Sequence, residues 1–467
     1  MKKFTILLFT FALSFFIPQY CGAQYTDLYN FTPPTGAEPF GSLTLSNGKL
    51  YGTAYLGGAH DSGSIFSVDT NGMNYKDIYD FSGPDGKQPN SPLTLVGGLI
   101  YGTANAGGAH DSGCVFVLDT TGAGYRDLYD FSGPDGKNPY NALLLSGSTL
   151  FGVADGGAHG VGNIFSIDTS GSNFRDLFDF NITNGEYPLG ITLVGPKLYG
   201  TTLIGGVHGL GLVYAIDSSG LNYKDLLDFN SPGGYEPFGN LTYSSGMLFG
   251  ATAYGGTAGY GMLFSIDTAG LFPKRMFDFT GLNGAQPEYA GGAPTIIGSV
   301  YYGTTYYGGL NDSGCIFSID TAGNNYVDLY DFSGPQGANP EGSMTLSGTV
   351  LYGATALGGT NHVGVIYSFD TTKVTTTIHK VSVTSGQLSV YPNPSNGEFT
   401  LSIRNYKLGI RNVKIYNVLG EQVYSQSNIQ NPAFNINLSN QPNGVYLYRV
   451  LNEGGNLIGE GKITIQK

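Results

Sequence analysis

The stretch KLYGTAYLGGAHDSGSIFSVDTNGMNYKDIYDF, Lys49 to Phe81, holds the pattern on which the fold turns. Three of its phrases return at a spacing near 50 residues. Tyr51-Gly52 reappears as Tyr101-Gly102, Phe151-Gly152, Tyr199-Gly200, Phe249-Gly250, Tyr302-Gly303 and Tyr352-Gly353. Phe66-Ser67-Val68-Asp69 has counterparts ending in Asp119, Asp168, Asp217, Asp267, Asp320 and Asp370. Asp77–Phe81 is matched by Asp27–Phe31, Asp127–Phe131, Asp176–Phe180, Asp225–Phe229, Arg275–Phe279 and Asp328–Phe332. Each phrase occurs seven times. Repetition at a fixed period is the mark of an array.

Within one period the residues read as four short strands. Ser42 to Leu45 turns through Asn47-Gly48, a strong hairpin signal, into Lys49 to Thr53. A third strand follows the loop Gly57 to Gly63, and a turn at Asp69 to Gly72 leads to the fourth. No segment carries a sustained 3.6-residue apolar period, so helices are expected to be nearly absent. Four strands repeated seven times predict an all-β fold, a seven-bladed β-propeller over residues 24–371. The array starts on a fourth-strand phrase, Tyr25 to Phe31, and ends on a third-strand phrase, Val365 to Asp370. The first strand is therefore expected to complete the last sheet and leave no open edge.

The double glycines Gly57-Gly58, Gly107-Gly108, Gly156-Gly157 and Gly205-Gly206 are similar to those of kelch blades, but kelch repeats rely on a Trp and this chain has none. Leu50-Tyr51-Gly52-Thr53, Gly63-Ser64-Ile65-Phe66 and Asp77-Ile78-Tyr79-Asp80-Phe81 resemble the GloVer tandem-repeat family, across residues 25–371. The resemblance brings no catalytic residues with it.

Both ends of the chain read as export signals. Lys2 and Lys3 precede the apolar run Phe4 to Ile17, and Cys21-Gly22-Ala23 supplies small residues for cleavage. Residues 1–23 are thus expected to be a signal peptide, with a mature start at Gln24. The run is too short for a membrane span, and no later segment is apolar enough for one. After a linker at 372–387 the composition changes sign. Residues 24–371 hold ten Lys and Arg against thirty Asp and Glu, whereas residues 372–467 hold nine against four. Residues 388–467 contain Tyr391-Pro392-Asn393-Pro394, then Gly397, Gly420, and Gly444-Val445-Tyr446. This order resembles the C-terminal sorting domain of type IX secretion, a small Ig-like β-sandwich. The resemblance implies passage through the periplasm of a Gram-negative bacterium, the type IX machinery as partner, and a secreted or cell-surface product.

Composition narrows the chemistry further. With 74 Gly, 34 Tyr and 28 Phe among 467 residues the chain can bury a large core and is not disordered. Cys114 and Cys315 share a repeat position in the second and sixth units, too far apart to join, so both are expected to be free thiols. The acidity of the repeats opposes nucleic-acid binding. His60, His110, His159 and His208 share one loop position, but neighbouring sheets stand about 10 Å apart. One metal ion cannot gather ligands over that span. No metal or cofactor is expected, and the histidines are expected to bond loop backbone. No catalytic residue stands out. The expected function is an exported, non-enzymatic propeller that binds a glycan or a cell-surface protein. A polysaccharide lyase or hydrolase and a purely adhesive element are the alternatives. The ligand-binding candidates are Tyr254, Tyr306 and Tyr307, with Tyr55 and the four histidines, on the face that carries the loops between second and third strands.

Overall fold

A computed structural model of the chain describes residues 24–287, 292–373, 388–403, 410–417, 422–427, 429, 431, 433–452 and 457–467. The expected signal peptide at 1–23, most of the expected linker at 372–387 and Gly420 fall outside the described residues. The chain forms two compact units, Met1–Lys373 and Val374–Lys467. Among the described residues there is no α-helix, only three short 3-10 turns. No helix there is long and apolar enough to cross a membrane.

The first unit is a succession of antiparallel sheets, one per repeat. In the first sheet Thr44–Ser46, Lys49–Ala54, Ser64–Asp69 and Lys76–Asp80 pair in chain order. The second strands are buried over nearly their whole length, which is why they lack a two-residue alternation. The aromatic-Gly phrase has a packing cause. A Cβ on Gly102 would lie 2.5 Å from Phe116 Cζ and 3.0 Å from Leu93 Cδ2, so the phenyl ring of the third strand occupies the glycine's missing side chain. The sixth sheet departs from the expected four strands. It has five, because its first strand is split into Ala285–Pro287 and Thr295–Ile297, on either side of a longer segment.

The first strand, Tyr25–Asn30, pairs with Val365–Asp370, so the last sheet draws strands from both ends of the array. Neighbouring sheets are tied by repeated bonds. Thr44 Oγ1 donates to the Leu93 carbonyl, and Thr94, Thr192, Thr242 and Thr295 bond the following sheet in the same way. Thr345 donates to Leu43, linking the last sheet to the first. Stacked rings make a second tie: Tyr29 on Tyr75, Tyr79 on Tyr125, Tyr129 on Phe174, Phe178 on Tyr223, Phe277 on Tyr326 and Tyr330 on Tyr25, with centroids 3.7–4.5 Å apart. The remaining junction has Leu227 and Pro273 at the two positions, and a small cavity of about 170 Å³ lies beside them.

The fourth-strand acids shape the loops. Asp80, Asp130, Asp179, Asp228, Asp278 and Asp331 each accept a backbone N–H from the double-glycine loop of their own sheet. A Cβ on Gly108, at φ +73°, would fall 2.2 Å from Asp130 Oδ1, so this acid requires that glycine.

The second unit has a three-stranded sheet (Leu388–Tyr391, Glu398–Ile403, Ala433–Asn437) and a four-stranded one (Gln422–Ser427, Ile410–Tyr416, Gly444–Asn452, Leu457–Ile465). Both contribute to one core that includes Phe399, Leu401, Val413, Ile415, Ile436, Tyr448 and Ile463. Asn393 of the tail motif accepts from Thr464 N and donates to the Lys462 carbonyl. Gly397 sits at φ +108°, where a Cβ would strike Ser439. Tyr446 is buried and donates to Pro442 O, whereas Tyr391 is exposed.

Candidate functional site

Each repeat brings its chain into the first strand through the same strained step. Glu38, Gln88, Asn138, Tyr187, Glu236, Gln286 and Asn339 all have φ between +49° and +58°. Each directly precedes a proline: Pro39, Pro89, Pro139, Pro188, Pro237, Pro287 and Pro340. Left-handed backbone is uncommon for a non-glycine residue, and a following proline crowds it further. Such a conformation costs of order 1–3 kcal/mol and persists only when its surroundings impose it. The surroundings here are the preceding repeat's double-glycine loop. Gln88 N donates to Ser62 O, Asn138 N to Ser112 O, Tyr187 N to Val161 O and Glu38 N to Val363 O, at 2.7–3.0 Å. Pro89 Cδ packs where Gly63 has no side chain, and Pro39 does the same at Gly364.

The residue after the proline then lines a shared cavity of about 270 Å³. Phe40, Asn90, Tyr140, Leu189, Phe238 and Glu341 occupy this position in six of the seven repeats. The seventh counterpart, Glu288, lies outside the described residues. Asn141, Tyr187, Asp155 and Leu203 also line it.

The polar atoms of this cavity are poorly satisfied. Glu341 is only 7% exposed and has no hydrogen bond or ion pair among the described residues. Burial, and then the neighbouring charge of Glu38, push its carboxyl up to about 8. Burial pushes Asp155 up to about 6, against the opposing pull of the Tyr140 hydroxyl and the Lys137 charge. Among the described residues Asp155 Oδ1, Asn90 Oδ1 and Asn141 Nδ2 are buried without a partner, and Asn141 as a whole is 3% exposed. Leaving a buried polar atom unpaired costs about 1–3 kcal/mol, so such a cluster calls for an explanation.

These acids set a pH dependence. A carboxyl raised by folding stabilises the protein below its unfolded value and loses that contribution as pH climbs through its folded value. Glu341 spans about 4.5 to 8, and Asp77 and Asp328, raised to about 7 by burial and then by Asp80 and Asp331, act with the same sign. Melting temperature is therefore expected to fall between about pH 5 and pH 8. Glu341→Gln is expected to lessen the fall; an equally steep profile in the variant, by scanning fluorimetry, would contradict the shift at Glu341.

The residues anticipated from sequence are placed elsewhere on the repeats. Tyr254 and Tyr307 line a separate cleft of about 630 Å³ with Tyr260, Leu282, Gln286 and Asp312. Tyr306 packs edge-on against Tyr307, at 4.5 Å between ring centroids. Tyr55 packs against Phe40, at 4.9 Å between ring centroids. His60, His110, His159 and His208 are exposed at four separate loops. Their expected bonding to loop backbone needs correction, because no imidazole hydrogen bond occurs among the described residues. The neighbouring acids Asp61, Asp111 and Asp312 do that work, accepting from Gly57 N, Gly107 N and Gly308 N. Asn311 and Asn361, at the histidine position, donate to Phe332 O and Phe31 O. A carboxylate or amide reaches the backbone at that spacing, whereas the imidazoles stay at the solvent-facing apex. Cys114 and Cys315 are free and buried. No group of metal-ligating side chains occurs among the described residues.

The residues that line the shared cavity were missed. Their signal was a proline recurring seven times, followed by a residue that changes identity in almost every repeat: Phe, Asn, Tyr, Leu, Phe, Glu, Glu.

Comparison with known proteins fits this architecture. Residues 14–195 and 154–299 match the Gloeobacter/Verrucomicrobia repeat, and residues 389–466 match the secretion system C-terminal sorting domain. No curated protein matches in sequence. Among solved structures, the extracellular domain of a hybrid two-component system from B. thetaiotaomicron is 11% identical, with a TM-score of 0.52 over 94% of this chain and 57% of that one. Puromycin hydrolase is 13% identical, with a TM-score of 0.52 over 74% of this chain and 56% of its own. An oligogalacturonate lyase in complex with manganese is 12% identical, with a TM-score of 0.50 over 74% of this chain and 92% of its own. At these identities the likeness concerns the fold alone. The sorting domain marks an exported protein, secreted or held at the cell surface, that engages the secretion system. The chain belongs to the Gloeobacter/Verrucomicrobia repeat family and carries a type IX secretion C-terminal sorting domain.

Proposed function

We propose that the first unit is a closed seven-bladed β-propeller which acts outside the cell as a non-enzymatic binding module, and that the second is an Ig-like sorting sandwich. Closure is supported by the pairing of Tyr25–Asn30 with Val365–Asp370 and by the bond from Thr345 to Leu43. The observation that carries the binding reading is the axial cavity, where among the described residues buried Glu341 has no hydrogen bond or ion pair and Asn141 Nδ2 has no acceptor. Its occupant is an end-group of a glycan or of a cell-surface protein, held between aromatic walls and convergent polar atoms.

A screen of the full secreted chain against surface glycans and outer-membrane proteins tests this. Asn90→Phe, which fills the cavity, is expected to abolish capture of the ligand that wild type retains. The triple change of Tyr254, Tyr306 and Tyr307 to Ala is expected to spare it. The opposite pattern moves the site to the 630 Å³ cleft. A second reading, a polysaccharide-acting enzyme, draws support from Glu341 and Asp155, two carboxyls raised by burial in one cavity. Conversion of the captured glycan to a shorter product would establish it instead.

A further inference from the structure

We propose that the axial cavity recognises a primary ammonium group with a neighbouring hydroxyl, the arrangement found on a non-acetylated hexosamine at the end of a glycan. This rests on the axial binding reading and specifies its ligand. The lining sorts into three kinds of group. Among the described residues three groups can accept and lack donors: Asp155 Oδ1, Asn90 Oδ1 and, once ionised, the carboxyl of buried Glu341. A primary ammonium carries three N–H donors and no acceptor, so its demand matches theirs. One donor lacks an acceptor, Asn141 Nδ2, and a hydroxyl oxygen beside the ammonium supplies it.

The third kind of group is aromatic. Phe40, Tyr140, Tyr187 and Phe238 line the same space. Aromatic faces attract a cation near their centroids and also take the apolar face of a sugar ring. A quaternary ammonium would be drawn to the rings but would leave all three acceptors unpaired. A neutral sugar would leave Glu341 in its protonated form and would release no proton on binding. The size agrees as well, since about 270 Å³ lies just below the range of small-ligand sites and takes one ring rather than a chain. The repeats' excess of acids draws cations toward this unit at long range.

Proton release accompanies such binding. In the empty cavity burial keeps the Glu341 carboxyl raised to about 8, so near neutral pH it is largely protonated. An ammonium beside it favours the carboxylate. Among the described residues Glu38 raises Glu341 further, Asp155, Tyr140 and Tyr187 line the same cavity, and Lys137 acts on Asp155.

Titration calorimetry of the full chain at pH 7 with glucosamine, N-acetylglucosamine and glucose tests the assignment. Glucosamine is expected to bind at least ~10-fold more tightly than the other two, with a heat that varies with the buffer's ionisation enthalpy. Glu341→Gln is expected to remove that advantage and the buffer dependence together. Asp155→Asn, which keeps the Glu341 site, is expected to weaken glucosamine alone. Equal binding of all three sugars, lost in Asn90→Phe, would overturn the ammonium assignment while leaving the axial reading in place. Binding of none of them would overturn the assignment, and the ligand screen would still decide the axial reading. Glucosamine binding that survives Glu341→Gln unchanged, in a variant that melts as a folded protein, would also overturn it.

Discussion

Deleting Gln24 to Phe31 is expected to destroy the first unit's stability, with aggregation or a melting temperature lower by more than about 10 °C. Phe31 is fully buried against Phe66 and Tyr29, and Tyr25 stacks on Tyr330 and Tyr367. Burial of each such ring contributes roughly 1.5–3 kcal/mol. Two of them represent a large part of a typical total of about 5–15 kcal/mol. The loss extends beyond the rings. Asp370 N donates to Gln24 O, Phe31 N to Gly364 O, Thr360 N to Asn30 Oδ1 and Tyr25 Oη to Gln336 O. Without the strand, Val365–Asp370 becomes an open edge able to pair with another chain. Removal of residues 388–467 takes away a separate core and is expected to leave the melting of the first unit nearly unchanged. A stable monomer from the N-terminal deletion, with near-native melting, would refute the role assigned to this strand.

The second large effect concerns delivery. A chain lacking residues 388–467 is expected to remain inside the cell envelope, with surface and medium levels reduced to background. Residues 372–467 placed behind a signal peptide and a soluble passenger are expected to bring that passenger to the surface of a host with type IX secretion. The match at 389–466 supports this, as do the bonds from Asn393 to the last strand. Mass spectrometry of the exported product is expected to find the tail removed. Full-length secreted protein that keeps residues 388–467 would make the tail a working domain instead.

The repeat was legible because packing imposed it on letters. Gly102 must be glycine to admit Phe116, and Gly108 must be glycine to admit Asp130, so these phrases return unchanged with each period. The phase of the array likewise foretold the pairing of Tyr25–Asn30 with the last sheet. The shared cavity was harder to read for the opposite reason. Its residues are set by position, after the recurring proline, while their identities vary from Phe40 to Glu341. The left-handed turn that places them occurs at Glu, Gln, Asn and Tyr rather than at glycine, so composition gave no warning of it. The tyrosines that drew attention vary too, yet Tyr55 packs against Phe40 of the same repeat and Tyr306 against its chain neighbour Tyr307.

The stacked rings bear on how such a chain can be rebuilt. Every pair takes one ring from the fourth strand of one sheet and the other from the start of, or the approach to, the fourth strand of the next, as in Tyr330 on Tyr25 and Tyr79 on Tyr125. At the single junction without a stack, both halves are replaced together, by Leu227 and Pro273. The self-contained module is therefore the seam, and a sheet is only two half-seams back to back. A chimaera that swaps whole sheets would strand half a pair on each side, whereas crossovers placed inside two sheets would carry a complete seam into its new host.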